Sequence, residues 1–305
     1  MSDATKVIIG SRGSKLALWQ AEWVKGQLAA GGFQVEIQII KTTGDKLVDV
    51  PLAQSGVKGL FIKEIEEALL SGAVDLAVHS LKDLPNDQPE GLYVAAVPER
   101  EDARDVLVSP TSIKLSDLPH GARVGTSSLR RQSQIAHLRP DLKILPVRGN
   151  VDTRFRKLDR GDFDALILAA AGAHRLGLRE RITQYFTVEE VCPAVGQGAL
   201  AIEISQGDER LMGAVAGLDH ASTHQAIRAE RAALRQLGGG CQLPVAAHAL
   251  PEEDCLRLHG VVASPDGKRL VRAAASGLLD DPESLGAIVA ESLVKQGAHE
   301  ILQST

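Results

Sequence analysis

Apolar positions along the chain fall into short, nearly unbroken runs separated by stretches with helical spacing. Residues 6–10 (KVIIG) form the first run and read as a strand buried on both faces. The following KLALWQAEWVKGQLAAGG spaces its apolar residues as one helical face and stops at Gly31-Gly32, which predicts an amphipathic helix with a glycine terminus. VEIQIIK is the next strand. Residues 42–59 (TTGDKLVDVPLAQSGVKG) have weak periodicity, and a polar connection of that length suits a functional lid better than a linker. The helix FIKEIEEALLSG, the strand VDLAVHS with its polar turn LKDLP, and the strand LYVAAVPER complete a β-α-β alternation. Such alternation builds an open, mostly parallel sheet with helices on its faces.

The pattern restarts near residue 105. DVLVS and ARVGTSS read as strands, LRRQSQIAHLRP as a helix, LKILPVRG as a strand, VDTRFRKLDRG as a helix and FDALILAAAGAHRLGL as a strand plus turn. GALAIEISQGD (198–208) reads as one more strand, returning to the first sheet. The tail differs: the helix THQAIRAERAALRQLGGG precedes a meander of VAAHAL, CLRLHGVVAS and KRLVRAAASG, with SPDGK as the last turn. Asp281-Pro282-Glu283 supplies a cap, a first-turn proline and an acid for a closing helix that ends at Gly297. The expected fold is therefore α/β: two lobes with mostly parallel mixed sheets plus a C-terminal α+β domain with a three-stranded antiparallel sheet. Expected boundaries are 1–99 with 198–217, 104–193, and 219–305. A chain that crosses twice between two lobes is expected to enclose a cleft, and ligands of open α/β sheets sit beyond the carboxyl ends of the strands.

Composition narrows the picture. Aromatics are only 3% of the 305 residues, so the cores must be built from Val, Leu, Ile and Ala. A net charge of −5 argues against a nucleic-acid partner and requires any anion site to be a local basic pocket. The three cysteines (192, 241 and 255) are odd in number and form no CxxC, which argues against a disulfide scaffold or a metal site and for a reducing cytoplasm. No apolar h-region or membrane-length run is present. The expectation is a cytoplasmic chain without a membrane partner; no coiled-coil seam is evident, and this together with the family resemblance given below favours a monomer.

The strand ends carry the candidate chemistry. Arg12 and Ser14 follow the first strand, and Lys82 and Asp83 follow VDLAVHS. Thr126, Ser127, Ser128, Arg130 and Arg131 follow ARVG; Arg148 and Gly149 follow LKILPV, with Arg154 a turn later; Arg175 follows the ALILA run. Arginines in a helix's first turn are disfavoured by the dipole unless an anion sits there, and guanidinium forks match carboxylates. For any one arginine a solvated surface charge is the plainer reading. Their repetition at successive strand ends favours a pocket for a multiply anionic ligand. Asp83 fits either a local ion pair or a partner for a cation formed during reaction. Cys192 and Cys255 have apolar or strand neighbours and read as packing residues. Cys241 follows three glycines in QLGGGCQLPV, a costly stretch to order; its uncrowded sulfur suits a covalent or ligand-facing role, as nucleophile or as anchor.

SRGSKLALWQ, GLFIKEIEEALL, DLAVHSLKDLP, ERED-RD (99–105), VGTSSLRRQSQ, VRGNVDTR, LAAAGAHRLGL, PAVGQGALAIE and GGGCQLP, in this order between residues 11 and 245, together resemble the porphobilinogen deaminase (hydroxymethylbilane synthase) family. The resemblance implies lobes like those of periplasmic binding proteins and a dipyrromethane cofactor joined to Cys241 by a thioether. It implies that four porphobilinogen molecules are added head to tail with loss of ammonia, and that hydrolysis releases hydroxymethylbilane. By the same resemblance Lys82, Asp83, Thr126, Ser127, Ser128, Arg130, Arg131, Arg148 and Gly149 hold the cofactor. Arg12, Ser14, Lys58, Arg148, Arg154, Arg175 and Gln197 hold substrate, and Asp83 stabilises positive charge on pyrrole nitrogens. No metal is implied. Gln54 and Val57 stand where the family commonly has lysine and glycine, within the stretch that resembles its mobile loop. Two other readings are a non-catalytic two-lobed polycarboxylate-binding protein and a thiol enzyme using Cys241 with a histidine base.

Overall fold

The computed structural model describes residues 6–46, 62–238 and 243–304. They form two compact units, one running to Arg100 and including Ala199–His224, the other comprising Glu101–Gly198 and the chain from Gln225 onward. No helix among the described residues is long and apolar enough to cross a membrane.

In the first unit β1 (Lys6–Ser11), α1 (Lys15–Ala30), β2 (Gln34–Ile39), the short α2 (Thr43–Lys46), α3 (Lys63–Leu70), β3 (Leu76–Ser80) and β4 (Leu92–Ala96) follow in chain order. The return strand β10 (Leu200–Ser205) and α7 (Glu209–Ala216) complete it. The sheet order is β2-β1-β3-β10-β4, with β1 parallel to β2 and β3, and β10 antiparallel to both its neighbours. Val7, Ile9, Leu76, Val78, Ile202 and Ile204 pack against Val24 and Leu28 of α1 and Leu211 and Val215 of α7. On the other face Ala77 and Leu92 meet Ile65 and Leu69 of α3. That face also buries Glu203, which meets His79 Nε2 at 3.0 Å. Burial, then the Glu203 charge, raises the Glu66 carboxyl above the usual range.

The second unit repeats the plan. It contains β5 (Asp105–Val108), β6 (Arg123–Gly125), α4 (Leu129–Leu138), β7 (Lys143–Leu145), α5 (Val151–Asp159), β8 (Ala165–Ala169), α6 (Ala170–Arg175) and β9 (Gln184–Tyr185). The order is β7-β6-β8-β5-β9, with β5 reversed against β8 and β9, so the reversed strand again stands fourth. After β8 the expected turn is a helix, because Ala170-Ala171-Gly172-Ala173 has strong intrinsic helix preference apart from its glycine. The helix α7 likewise has no counterpart in the sequence reading.

The rest of this unit is α8 (Ala221–Gln236), whose first turn belongs to the first unit, then β11 (Val245–Glu252), β12 (Cys255–Ala263), β13 (Leu270–Leu278), α9 (Pro282–Lys295) and α10 (Ala298–Gln303). The three strands form an antiparallel meander whose core joins Leu256, Leu258 and Val262 to Ala229, Ala233, Leu285, Val289 and Leu293. Its SPDGK turn docks on α4: His137 Nδ1 lies 2.9 Å from the Gly267 carbonyl oxygen. Gly267 has φ +71°, and a Cβ there would lie 2.4 Å from the His137 backbone nitrogen. Both turn and docking therefore require glycine. Gly267→Ala is expected to cost about 2 kcal/mol or more, read as a lower urea midpoint at unchanged slope.

Candidate active site

In the first unit, β1 and β3 run parallel as neighbours, so the residues after them emerge at the same sheet edge. After β1 come half-buried Arg12 and Ser14, whose Oγ caps α1 by accepting from Ala17 N at 3.3 Å. After β3 the chain makes a single 3₁₀ turn, Leu81–Asp83. Leu81 N donates to the Ala199 carbonyl at 3.1 Å, and Gln20 donates to Ser80 Oγ at 2.8 Å. Leu81 is buried, Lys82 half-buried and Asp83 exposed. The turn is anchored on its apolar side and presents its carboxylate to solvent.

The second unit gathers the larger set. Ser128 caps α4, while Ser127 Oγ donates to the Val147 carbonyl at 2.7 Å and ties the β6 loop to the β7 loop. Thr126 Oγ1 accepts from Ser128 N at 3.2 Å. In the β7 loop Gly149 has φ +101° and a Cβ would lie 2.6 Å from Thr153 Cγ2, so only glycine carries the chain past α5. Its carbonyl accepts from Arg154 Nε at 2.9 Å, and the preceding Arg148 is half-buried.

Arg130 and Arg131 are buried, at 5% and 6% exposure. Between them lies Asp105, the fully buried first residue of β5. Arg130 Nη1 donates to Asp105 Oδ2 at 2.5 Å and to the Cys192 carbonyl at 2.7 Å. Arg131 reaches Asp105 Oδ1 from Nε at 2.9 Å and from Nη2 at 2.8 Å. Gln197 closes the ring: its Nε2 donates to Asp105 Oδ1 at 2.9 Å and to the Ala103 carbonyl at 2.7 Å, and its Oε1 accepts from Arg131 Nη2 at 3.1 Å. Next along the chain, the Gly198 carbonyl accepts from Arg175 Nη2 at 2.7 Å. Burial pushes the Arg175 guanidinium down to about 10, partly offset by Glu101.

Burial alone would raise the Asp105 carboxyl, but the two guanidiniums outweigh it and hold it down at about 2. Cys192 behaves oppositely: burial pushes its thiol up to about 12, consistent with an inert packing residue. Cys241 and Lys58 lie outside the described residues, as do Gln54 and Val57. Three of the described site residues of the second unit, Arg130, Arg131 and Gln197, are thus joined by Asp105, which the sequence reading met only as the last residue of a family-like stretch and gave no role in the site. Its signal was a lone acid heading an otherwise apolar strand, DVLV. Glu230 was also missed: it is fully buried and accepts from Gly196 N at 2.7 Å and Ala249 N at 2.8 Å, tying α8 to the loop that carries Gln197. Among the described residues no group of three His, Cys, Asp or Glu could hold a metal ion.

The donor set suits a polycarboxylate. Two guanidiniums face one carboxylate, and Arg130 Nε is buried without a hydrogen-bond partner among the described residues. The residues present therefore fit a pyrrole cofactor with acid arms.

Family models and sequence relatives point the same way. Residues 7–213 match the family model described as porphobilinogen deaminase, dipyromethane cofactor binding domain, and residues 224–295 match porphobilinogen deaminase, C-terminal domain. The chain is 54% identical over 296 residues to porphobilinogen deaminase of Geobacter metallireducens, covering 96% of this chain and 93% of the relative. It is 48% identical over 300 residues to that of Carboxydothermus hydrogenoformans, covering 98% and 96%. Among solved structures it is similar to the BvgS periplasmic VFT2 domain of Bordetella pertussis, at 15% identity and a TM-score of 0.40, covering 70% of this chain and 85% of that one. A protein of Actinomyces odontolyticus matches at 14% identity and a TM-score of 0.44, covering 71% and 90%.

Because the folded-state Asp105 carboxyl is depressed, its stabilisation is complete above the unfolded value near 4 and is lost as pH falls through about 2. The stability gap between the wild type and Asp105→Asn is expected to shrink by roughly 2 kcal/mol between about pH 5 and pH 2, measured by urea unfolding at each pH.

Proposed function

Because the chain belongs to the porphobilinogen deaminase family, we propose the following division of labour among its residues. The reaction is the deaminative head-to-tail joining of four porphobilinogen molecules and release of hydroxymethylbilane, with ammonia as the other product. The cofactor is dipyrromethane, and when bound it supplies the pyrrole carbon onto which substrate is added.

Cys241 anchors that group through a thioether, a role its glycine-flanked sequence suits. Arg130, Arg131 and Arg148, with Lys82, Thr126, Ser127, Ser128 and Gly149, neutralise and orient its acid arms. Arg12, Ser14, Lys58, Arg154, Arg175 and Gln197 receive incoming substrate, and Arg148 serves both. Asp83 accepts hydrogen bonds from pyrrole N–H groups as positive charge develops on them. A rigid, pre-aimed carboxylate of this kind lowers the barrier without reorganising during the reaction. The exposed position of Asp83 on an anchored turn supports this role.

The observation that carries the reading is the paired guanidinium cluster buried at the start of the helix that follows β6, a donor set matched to carboxylates. The reading also divides the chain into 1–99 with 198–217, 104–193 and 219–305, and takes it to be a cytoplasmic monomer acting on a small molecule, with no nucleic-acid or membrane partner. The net charge of −5 and the odd number of cysteines support that view. A purely polycarboxylate-binding protein is not favoured, since the family matches span both the cofactor-binding and C-terminal domains.

Intact mass of the purified protein is expected to exceed the polypeptide mass by one dipyrrole, and Cys241→Ser is expected to show the bare mass and no turnover. Bare mass in active wild-type material would remove the reading. Asp83→Asn is expected to retain the added mass while kcat falls about 10²–10³-fold, measured by product formation at saturating porphobilinogen.

A further inference from the structure

We propose that His79 is a positioning residue for Asp83: its bond to Glu203 fixes the end of β3 from which the turn Leu81–Asp83 departs. The inference rests on the role proposed above for the Asp83 carboxylate.

Strand pairing places the two partners. In the antiparallel register of β3 and β10, His79 stands opposite Ala201 and Glu203 opposite Ala77. Their side chains therefore share one face of the sheet, two residues apart in register, and meet diagonally across the strands. His79 Nε2 lies 3.0 Å from Glu203 Oε2, and both residues are buried. The other carboxylate oxygen, Oε1, is buried without a hydrogen-bond partner among the described residues, so the imidazole is the one such partner this carboxylate has there. Stripping a buried acceptor of its donor is costly. A buried pair of this kind adds little net stability; what it supplies is a directional tie that resists β10 sliding along β3.

The tie acts where the strand gives way to the turn. Ser80, the next residue, points to the opposite face and accepts from Gln20 Nε2 of α1 at 2.8 Å. The last two residues of β3 are thus held from both faces of the sheet. Leu81 N donates to the Ala199 carbonyl at 3.1 Å, which carries the β3–β10 ladder one bond into the turn, and Leu84 N closes the turn on the Leu81 carbonyl at 3.1 Å. Asp83 has little else to fix it, being exposed, so a shift at His79 passes through one short turn to the carboxylate. Misplacing a reacting group by about 1 Å can cost about 10²-fold in rate.

The test uses full-length enzyme carrying His79→Ala, His79→Gln, Asp83→Asn or His79→Ala/Asp83→Asn, each checked by intact mass for its dipyrrole. The kcat and KM for porphobilinogen are measured per folded, loaded chain, and amide hydrogen exchange across residues 76–84 is read on the same samples. His79→Ala is expected to lower kcat about tenfold while KM moves less than about twofold. His79→Gln, whose amide can still donate to Glu203, is expected to recover part of that loss. The double variant is expected to match Asp83→Asn within about twofold, because a residue acting through that carboxylate has nothing left to act on. The Leu81 amide is expected to exchange about tenfold faster in His79→Ala, with the amides of β1 keeping wild-type rates. Wild-type kcat in folded His79→Ala, losses that multiply in the double variant, equal losses in His79→Gln and His79→Ala, or unchanged Leu81 exchange would each overturn the proposal. Should His79→Ala fail to fold, His79→Asn, whose shorter amide stops short of Glu203, takes its place in every comparison. Wild-type kcat in Asp83→Asn would remove the role given to that carboxylate and this inference with it, whereas the family reading is decided separately by the dipyrrole mass of the wild type.

Discussion

Two guanidiniums cannot share a dry interior without an anion between them, and the second unit is arranged around that constraint. Asp105 at the head of β5, the first turn of α4 and the loop carrying Gln197 meet at one carboxylate. Each of these elements is held elsewhere by apolar packing or backbone bonding, so the charges cannot relax by moving apart. The depressed carboxyl of Asp105 is the electrostatic expression of that confinement. A buried ion cluster of this kind is a poor source of stability by itself.

The first unit presents the opposite environment with the same sheet plan. Both five-stranded sheets place a reversed strand in the fourth position, yet the second unit buries its arginine pair while the first displays Asp83 on a solvent-facing turn. An exposed carboxylate on a pinned turn suits a reaction in which charge appears and disappears. The C-terminal sheet contributes by docking: its Gly267 turn rests on α4, the helix that carries the arginine pair, and Glu230 ties α8 to the loop before Gln197.

Much of the fold was legible because its determinants are local. Runs such as KVIIG and the helical spacing of residues 15–30 specify element type within a few residues, and glycine or capping residues mark their ends. The helix Ala170–Arg175 was missed because ALILAAAGA is apolar throughout, and an unbroken apolar run carries no period by which strand and helix differ. The buried Glu203 escaped for a related reason: in LAIEIS a single acid reads as the polar face of a half-exposed strand. Only the packing of α3 over that face makes it interior, beside His79.

For the site, the sequence by itself determined which residue types stand at the strand ends, because strand-to-helix transitions and their polar turns are written in contiguous residues. It also determined the likeness to a family that builds linear tetrapyrroles. The tertiary structure alone decided how those charges are compensated. Asp105 lies 25 residues from Arg130 and 92 from Gln197, and no local pattern couples positions so far apart. Pairing in a dry interior depends on which side chains the sheet brings within hydrogen-bond reach, a property of the folded chain and not of any stretch of it.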